Sequence, residues 1–166
     1  MFLASPIRLI DFAVNASLSG WQVVDDGVMG GRSAGMFYVN ETGHGMFEGK
    51  VSLANNGGFS SIRYRTSPKL IGEFRQCVIR LKGDGKRYQF RVKSSPYDRH
   101  TYIQYFQTNG EWQEIEISLK EMYPTFRGRR LNMPSYPAKQ LSELAFLIAN
   151  KRAESFHLEI DWVELR

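Results

Sequence analysis

A period of two limits this chain more than any other feature. Phe156, Leu158, Ile160 and Trp162 alternate with His157, Glu159 and Asp161, and Tyr88, Phe90 and Val92 alternate with Gln89, Arg91 and Lys93. Successive side chains of a strand point to opposite faces, so each run predicts a strand with one apolar face. Comparable runs span Ile7 to Phe12, Gly35 to Asn40, Met46 to Leu53, Phe59 to Thr66, Cys77 to Leu81, Tyr102 to Gln107 and Glu111 to Leu119. Leu144 to Ala149 is apolar throughout, the pattern of a central strand covered on both sides. No convincing amphipathic helix interrupts the series. About ten to twelve short strands separated by turn signals predict an all-β fold, a β-sandwich of jelly-roll type built from two antiparallel sheets. Its first and last strands are expected near one another. A chain of 166 residues fits one domain, 1–166, with a sizeable core.

Glycine and asparagine punctuate the runs. Asn55-Asn56-Gly57-Gly58 predicts a turn, because both residue types tolerate left-handed backbone. Gly83-Asp84-Gly85 reads as a hairpin turn joining the strands on either side, and Gly49 as a bulge. Met122 to Pro137 is irregular, with a basic knot at Arg127, Arg129 and Arg130. The densest punctuation lies in Trp21 to Ser33, where an apolar run stops at Asp25 and Asp26 and meets Gly27, Gly30 and Gly31, with Val28 and Met29 between them. This predicts a loop with a fixed, unusual path. Asp25 and Asp26 are either acceptors for backbone amides or outward-facing acceptors. Met29 is either a plug for the core or an anchor for a partner.

The residue inventory argues against catalysis. His44, His100 and His157 have no second His or Cys at ligand spacing, and no calcium loop follows Asp25 and Asp26, so neither a metal nor a cofactor is expected. There is no G-x-S-x-G elbow, and Gly31 leads into Arg32-Ser33-Ala34-Gly35 rather than the G-K-S or G-K-T of a phosphate loop. No catalytic residue is assigned. The single cysteine, Cys77, reads as a buried small hydrophobe. No run is long and apolar enough to span a membrane as a helix, and no signal or transit pattern opens the sequence, so a cytoplasmic location is expected.

Lys and Arg number 22 against 17 acids, a net charge of +5 that suits an anionic partner. Arg63, Arg65, Arg80, Arg87, Arg91 and Lys93, with Tyr102, predict a basic, aromatic sheet face able to take single-stranded RNA by phosphate pairing and stacking. The plainer reading is a solvated face whose arginines pair with Glu114 and Glu116. Trp21, Trp112 and Trp162 are candidates for stacking on sugars, although the alternation assigns Trp162 to the core.

Taken together, these stretches resemble the complex I intermediate-associated protein family. The resemblance is carried by W-Q-V-V-D-D-G-V-M-G-G-R-S at Trp21 to Ser33, F-E-G-K-V-S-L at Phe47 to Leu53 and N-N-G-G-F-S-S-I-R at Asn55 to Arg63. It continues in K-G-D-G-K-R-Y at Lys82 to Tyr88, F-R-G-R at Phe126 to Arg129 and F-H-L-E-I-D-W-V at Phe156 to Val163. Ala145, where the family pattern has glycine, and Asn150-Lys151, where it has Asp-Lys, depart from it. The resemblance implies a galactose-binding-like β-sandwich and a non-enzymatic assembly factor or chaperone that holds intermediates of respiratory complex I or another multiprotein complex. A protein partner is therefore expected first, with RNA second, carbohydrate third and peripheral contact with a membrane-bound complex allowed. The surface expected to meet that partner is Asp25, Asp26, Met29, Gly30, Gly31, Ser33, Asn55, Asn56, Phe59, Arg63, Arg127 and Arg129, with Arg63 or Arg127 as a charged clamp. Met29 and Phe59 are its apolar anchors.

Overall fold

The structure is a computed structural model describing residues 4–166. Its strands are β1 (Ile7–Asp11), β2 (Trp21–Asp25), β3 (Ala34–Val39), β4 (Gly45–Val51), β5 (Ser60–Leu70), β6 (Gln76–Lys82) and β7 (Arg87–Lys93). They continue as β8 (Thr101–Gln107), β9 (Trp112–Ser118), β10 (Tyr123–Phe126), β11 (Arg129–Arg130), β12 (Gln140–Ile148) and β13 (Glu154–Leu165). Two antiparallel sheets form the expected sandwich. One runs β3-β4-β13-β6-β9, with β1 also paired to β13; the other runs β11-β10-β8-β7-β12-β5-β2. The first and last strands do meet, with Ile7 opposite Leu165.

The period of two explains the core. Phe47, Ile79, Leu158 and Ile160 of the first sheet are buried together with Ile62, Tyr88, Phe90 and Phe146 of the second. The apolar run seen in sequence is β12, flanked by β5 and β7 and buried from Leu141 to Ile148. Two inner-facing apolar surfaces removed from water by each other provide the main stabilisation of such a sandwich.

Four local expectations are corrected. The strands on either side of Gly83-Asp84-Gly85 do not pair: β6 lies between β13 and β9, and β7 between β12 and β8, so this turn carries the chain from one sheet to the other. Asp84 fixes the crossover by accepting the His157 amide at 3.0 Å and the Tyr88 hydroxyl at 2.9 Å. Gly49 sits in unbroken register between Gly35 and Phe156 rather than in a bulge, and a Cβ there would collide with the Ala34 carbonyl. Register shifts lie elsewhere, in β1 between Arg8 and Ile10, in β12 between Leu141 and Glu143 and in β13 between Ile160 and Trp162. The last reverses the alternation, so Val163 and Leu165 join the main cluster, and Trp162, still buried, faces the other side of the strand. Finally, the irregular stretch after Met122 contains the short pair β10 and β11.

Candidate functional site

Two places gather the polar residues singled out in sequence. The first is a knot at one end of the sandwich, built around Asp26. β2 ends at Asp25, a 3-10 turn covers Asp26–Met29, and Gly30 closes it with φ of 87°, a conformation open to glycine at little cost. A second short turn, Ala54–Asn56, has both Asn55 and Asn56 in the left-handed region, as their residue type allows. The Asp26 carboxylate joins the two loops. It accepts the Ser33 amide at 2.8 Å, the Ser33 hydroxyl, the Gly58 amide at 2.6 Å and the Phe59 amide at 3.2 Å. Asp26 is 0% exposed. Burial works against its ionised form, but the bonds from Ser33, Gly58 and Phe59 outweigh it and hold the carboxyl below the usual aspartate range.

The glycines around the carboxylate are there for room. A Cβ on Gly31 would strike the Asp26 carboxylate, and one on Gly57 would lie 2.6 Å from Asp26 Oδ2. Asp25 repeats the pattern one residue earlier, accepting the Gly35 amide at 2.9 Å and the Ser60 hydroxyl at 2.5 Å. The side chains of Asp26 and Ser33 are therefore occupied inside the protein and present nothing to a partner, contrary to the surface expected from sequence. Asp25 is half-buried and engaged in the same way. What the knot leaves outside is Met29, 67% exposed, with Gly30, Asn55 and Asn56, while Phe59 is half-buried. Leu53, which sequence reading missed, is 45% exposed beside Gly58. Its signal was the same as that of Met29, an apolar residue next to a glycine-rich turn.

Arg127 and Arg129 do not join this surface. They lie in and beside the β10–β11 turn, at the opposite edge of the seven-stranded sheet from β2. Arg63 lies between, on the outer face of β5.

The second place is that outer face. Cross-strand pairing sets Gln22, Arg63, Ala145, Arg91, Ile103 and Tyr123 in one row, and Ser61, Leu147, Gln89 and Tyr105 in the next. Ser61, Ala145, Leu147 and Ile103 are buried while the arginines and tyrosines around them are half-buried, so long side chains rise as walls about a low floor. Arg65 bonds Glu143 at 3.1 Å, and Lys93 donates to the Asp98 carbonyl at 3.0 Å. Arg91 donates to the neutral Gln89 Oε1 at 2.8 Å. Burial, with the Arg63 charge nearby, pulls the Arg91 guanidinium down to about 10.

Of the expected basic set, Arg63, Arg65, Arg87, Arg91 and Lys93 come together here. Arg80 does not: it belongs to the other sheet, where it bonds Asp161 at 3.1 Å. Tyr102 points into the core against Tyr136. Glu114 and Glu116 are on β9 of the other sheet, so they do not neutralise this face, and Glu114 bonds Arg166.

The tryptophans are covered. Trp21 packs inward with Phe12, Phe37 and Tyr64. Trp112 carries Arg80 at 4.8 Å over its ring and His44 against its edge. Trp162, 8% exposed, lies beneath Arg8 at 4.0 Å. Cys77 is buried and burial pushes its thiol up, so it is no nucleophile. Among the described residues no three His, Cys, Asp or Glu side chains converge as a metal site requires. No helix among them is long and apolar enough to cross a membrane.

Comparison with known proteins adds a family and a fold. The family described as Complex I intermediate-associated protein 30 matches residues 10–160. Among solved structures the chain is similar to the family 11 carbohydrate-binding module from Clostridium thermocellum in complex with a beta-1,3-1,4-mixed-linked tetrasaccharide. The TM-score is 0.68 at 14% identity, covering 96% of this chain and 94% of that one. The family 11 module of the cellulosomal cellulase Lic26A-Cel5E of the same organism gives 0.70 at 13% identity, covering 97% and 94%. An agarase, AgWH50C, gives 0.65 at 9% identity, with 98% of this chain matching 24% of the enzyme. At these identities the likeness is one of fold, the galactose-binding-like sandwich.

Proposed function

Because that match spans nearly all of its length, the chain belongs to the complex I intermediate-associated protein 30 family, and on that premise we propose that it is a non-enzymatic module that binds a protein partner during assembly of a multiprotein complex, respiratory complex I foremost. The observation that supports this reading is the loop end of the sandwich. Asp26 ties two loops from beneath, and Met29 and Leu53 stand outside them, exposed. Apolar side chains held on ordered loops fit a protein interface, where a few such anchors carry most of the affinity and prior ordering lowers the entropy cost of association. The tetrasaccharide bound by the family 11 module does not favour sugar here, since the three tryptophans that would stack on it lie inward or under guanidinium groups.

The test is affinity capture from native lysate with the wild-type chain, Met29→Asp and Leu53→Asp, washed at high salt, with the recovered proteins identified. The reading expects a partner that survives the wash and is lost with either variant. Both positions are exposed, so the variants should stay within about 0.5 kcal/mol of wild-type stability. Capture unaffected by both variants, or a large fall in their melting temperature, overturns it.

A further inference from the structure

We propose that the outer face of the seven-stranded sheet binds an acidic, extended segment of the protein partner, one carboxylate of which is held between Arg63 and Arg91 above Ala145; this rests on the protein-binding reading above. Arg63 and Arg91 stand on β5 and β7, in register with Ala145 on the strand between them. Two strand spacings put their Cα atoms about 10 Å apart. Two guanidinium groups rising from that separation can converge on a single oxyanion, the geometry in which arginine makes its strongest hydrogen bonds. Ala145 supplies a floor too short to obstruct it.

What makes this a site and not merely a charged surface is the missing counterion. Among the described residues, neither Arg63 nor Arg91 forms an ion pair; the other arginines without one are exposed, and the third half-buried arginine, Arg80, is paired with Asp161. Glu143, the carboxylate nearest them on β12, is engaged by Arg65. A half-buried cation with a neutral amide as its hydrogen-bond acceptor is under-compensated: burial and the Arg63 charge lower its proton affinity, and the more distant attraction of Glu143 and Tyr105 offsets this only in part. A carboxylate supplied from outside relieves both guanidinium groups at once.

The chemistry favours peptide over nucleic acid. Single-stranded RNA needs open ring faces on which bases stack. Here Arg87 lies 4.1 Å over the Tyr105 ring and Arg130 lies 4.4 Å over Tyr123, so these rings present guanidinium outward. From β2 to β10 the face spans five strand spacings, roughly 24 Å, which about seven extended residues would cross.

The test measures binding of three probes: a peptide of eight glutamates, an oligouridylate of eight nucleotides, and inorganic phosphate. Each is titrated by calorimetry against the wild-type chain, Arg63→Gln, Arg91→Gln and Met29→Asp, with near-ultraviolet circular dichroism confirming that each variant is folded. The peptide should bind the wild type and weaken as salt rises. Either arginine variant should lose at least about tenfold in affinity, and Met29→Asp should lose none. Oligouridylate binding as tightly as the peptide, phosphate matching the peptide, or no peptide binding overturns the inference. Should the peptide fail while Met29→Asp still abolishes partner capture, this inference falls alone. If partner capture ignores Met29 and Leu53, the reading beneath it falls whatever the peptide does.

Discussion

Among the described residues Asp26 and Arg91 are both charged groups without an ion partner, and they are handled in opposite ways. Asp26 is fully buried and receives four hydrogen bonds from two loops. Arg91 is half-buried, donates to one neutral amide and faces a second arginine. A carboxylate ringed by donors has all its acceptor capacity answered from within, so its charge belongs to the architecture. A guanidinium with five donors and one neutral acceptor has capacity left over. Hydrogen bonds move the first group towards its charged form, and burial moves the second away from its own. The contrast separates a residue that builds a surface from one that awaits a ligand.

The sharpest way to break that contrast is to empty the knot. Asp26→Ala strands the donors of Ser33, Gly58 and Phe59, and should cost about 3–5 kcal/mol, measured by urea denaturation. If the loss is below about 1 kcal/mol, Asp26 is not what joins the loops. Gly31→Ala is next, because its Cβ would meet the pinned Asp26 carboxylate. A loss of about 2–3 kcal/mol is expected. The same change at Gly27, where a Cβ meets nothing within 4 Å, should be nearly neutral.

Titration probes the same carboxylate with a smaller effect. The folded-state pKa of Asp26 is lowered, so its contribution is complete above the unfolded value of about 3.9 and is lost as pH falls through the lower folded value. Glu159 and Glu164 are lowered too and act in the same window, Glu159 through His44 and Glu164 through Arg166 and Arg8, each against the opposing effect of burial. Comparing wild type with Asp26→Asn cancels those two. The stability gap between them should be constant above about pH 5 and narrow below about pH 4. A gap that does not change would mean Asp26 is not ionised in the folded protein.

The strands were legible in sequence because a half-buried sheet imposes its period on the residues, and the left-handed asparagines were legible because residue type alone selects that conformation. What escaped depends on contacts between distant segments. Gly58 is 32 residues from Asp26, so the purpose of the glycine-rich loop could not be read from the loop. The alternation through Arg80 and Arg87 is the same whether β6 and β7 form a hairpin or cross between sheets, and this placed Arg80 on the wrong face. Trp162 kept the period of its neighbours and is buried as expected, but the register shift after Ile160 turned it away from the main cluster to the face that Arg8 covers. Arg63 and Arg91 were visible as basic residues. Their lack of partners was not, since it depends on Glu143 turning to Arg65 and on Glu114 and Glu116 lying in the other sheet.

The smallest effect tests the other side of the comparison. If Arg91 carries an uncompensated charge, replacing it with glutamine removes both its desolvation and its repulsion with Arg63. The replacement also gives up the hydrogen bond to Gln89 and some packing of the arginine stem. These contributions oppose one another, and the relieved charge should prevail slightly. Arg91→Gln is then expected to gain about 0.5 kcal/mol, a rise of about 1–2 °C in melting temperature. The folded pKa of Arg91 is depressed, so the penalty is present at neutral pH and is relieved as pH rises through about 10. The difference between variant and wild type should shrink over that range. A clear loss of stability at pH 7 would mean that the stem and the Gln89 bond outweigh the charge, making Arg91 a structural residue like Asp26. A gain accompanied by weaker binding of the glutamate peptide would mean that the face gives up stability to keep a cation free for its partner.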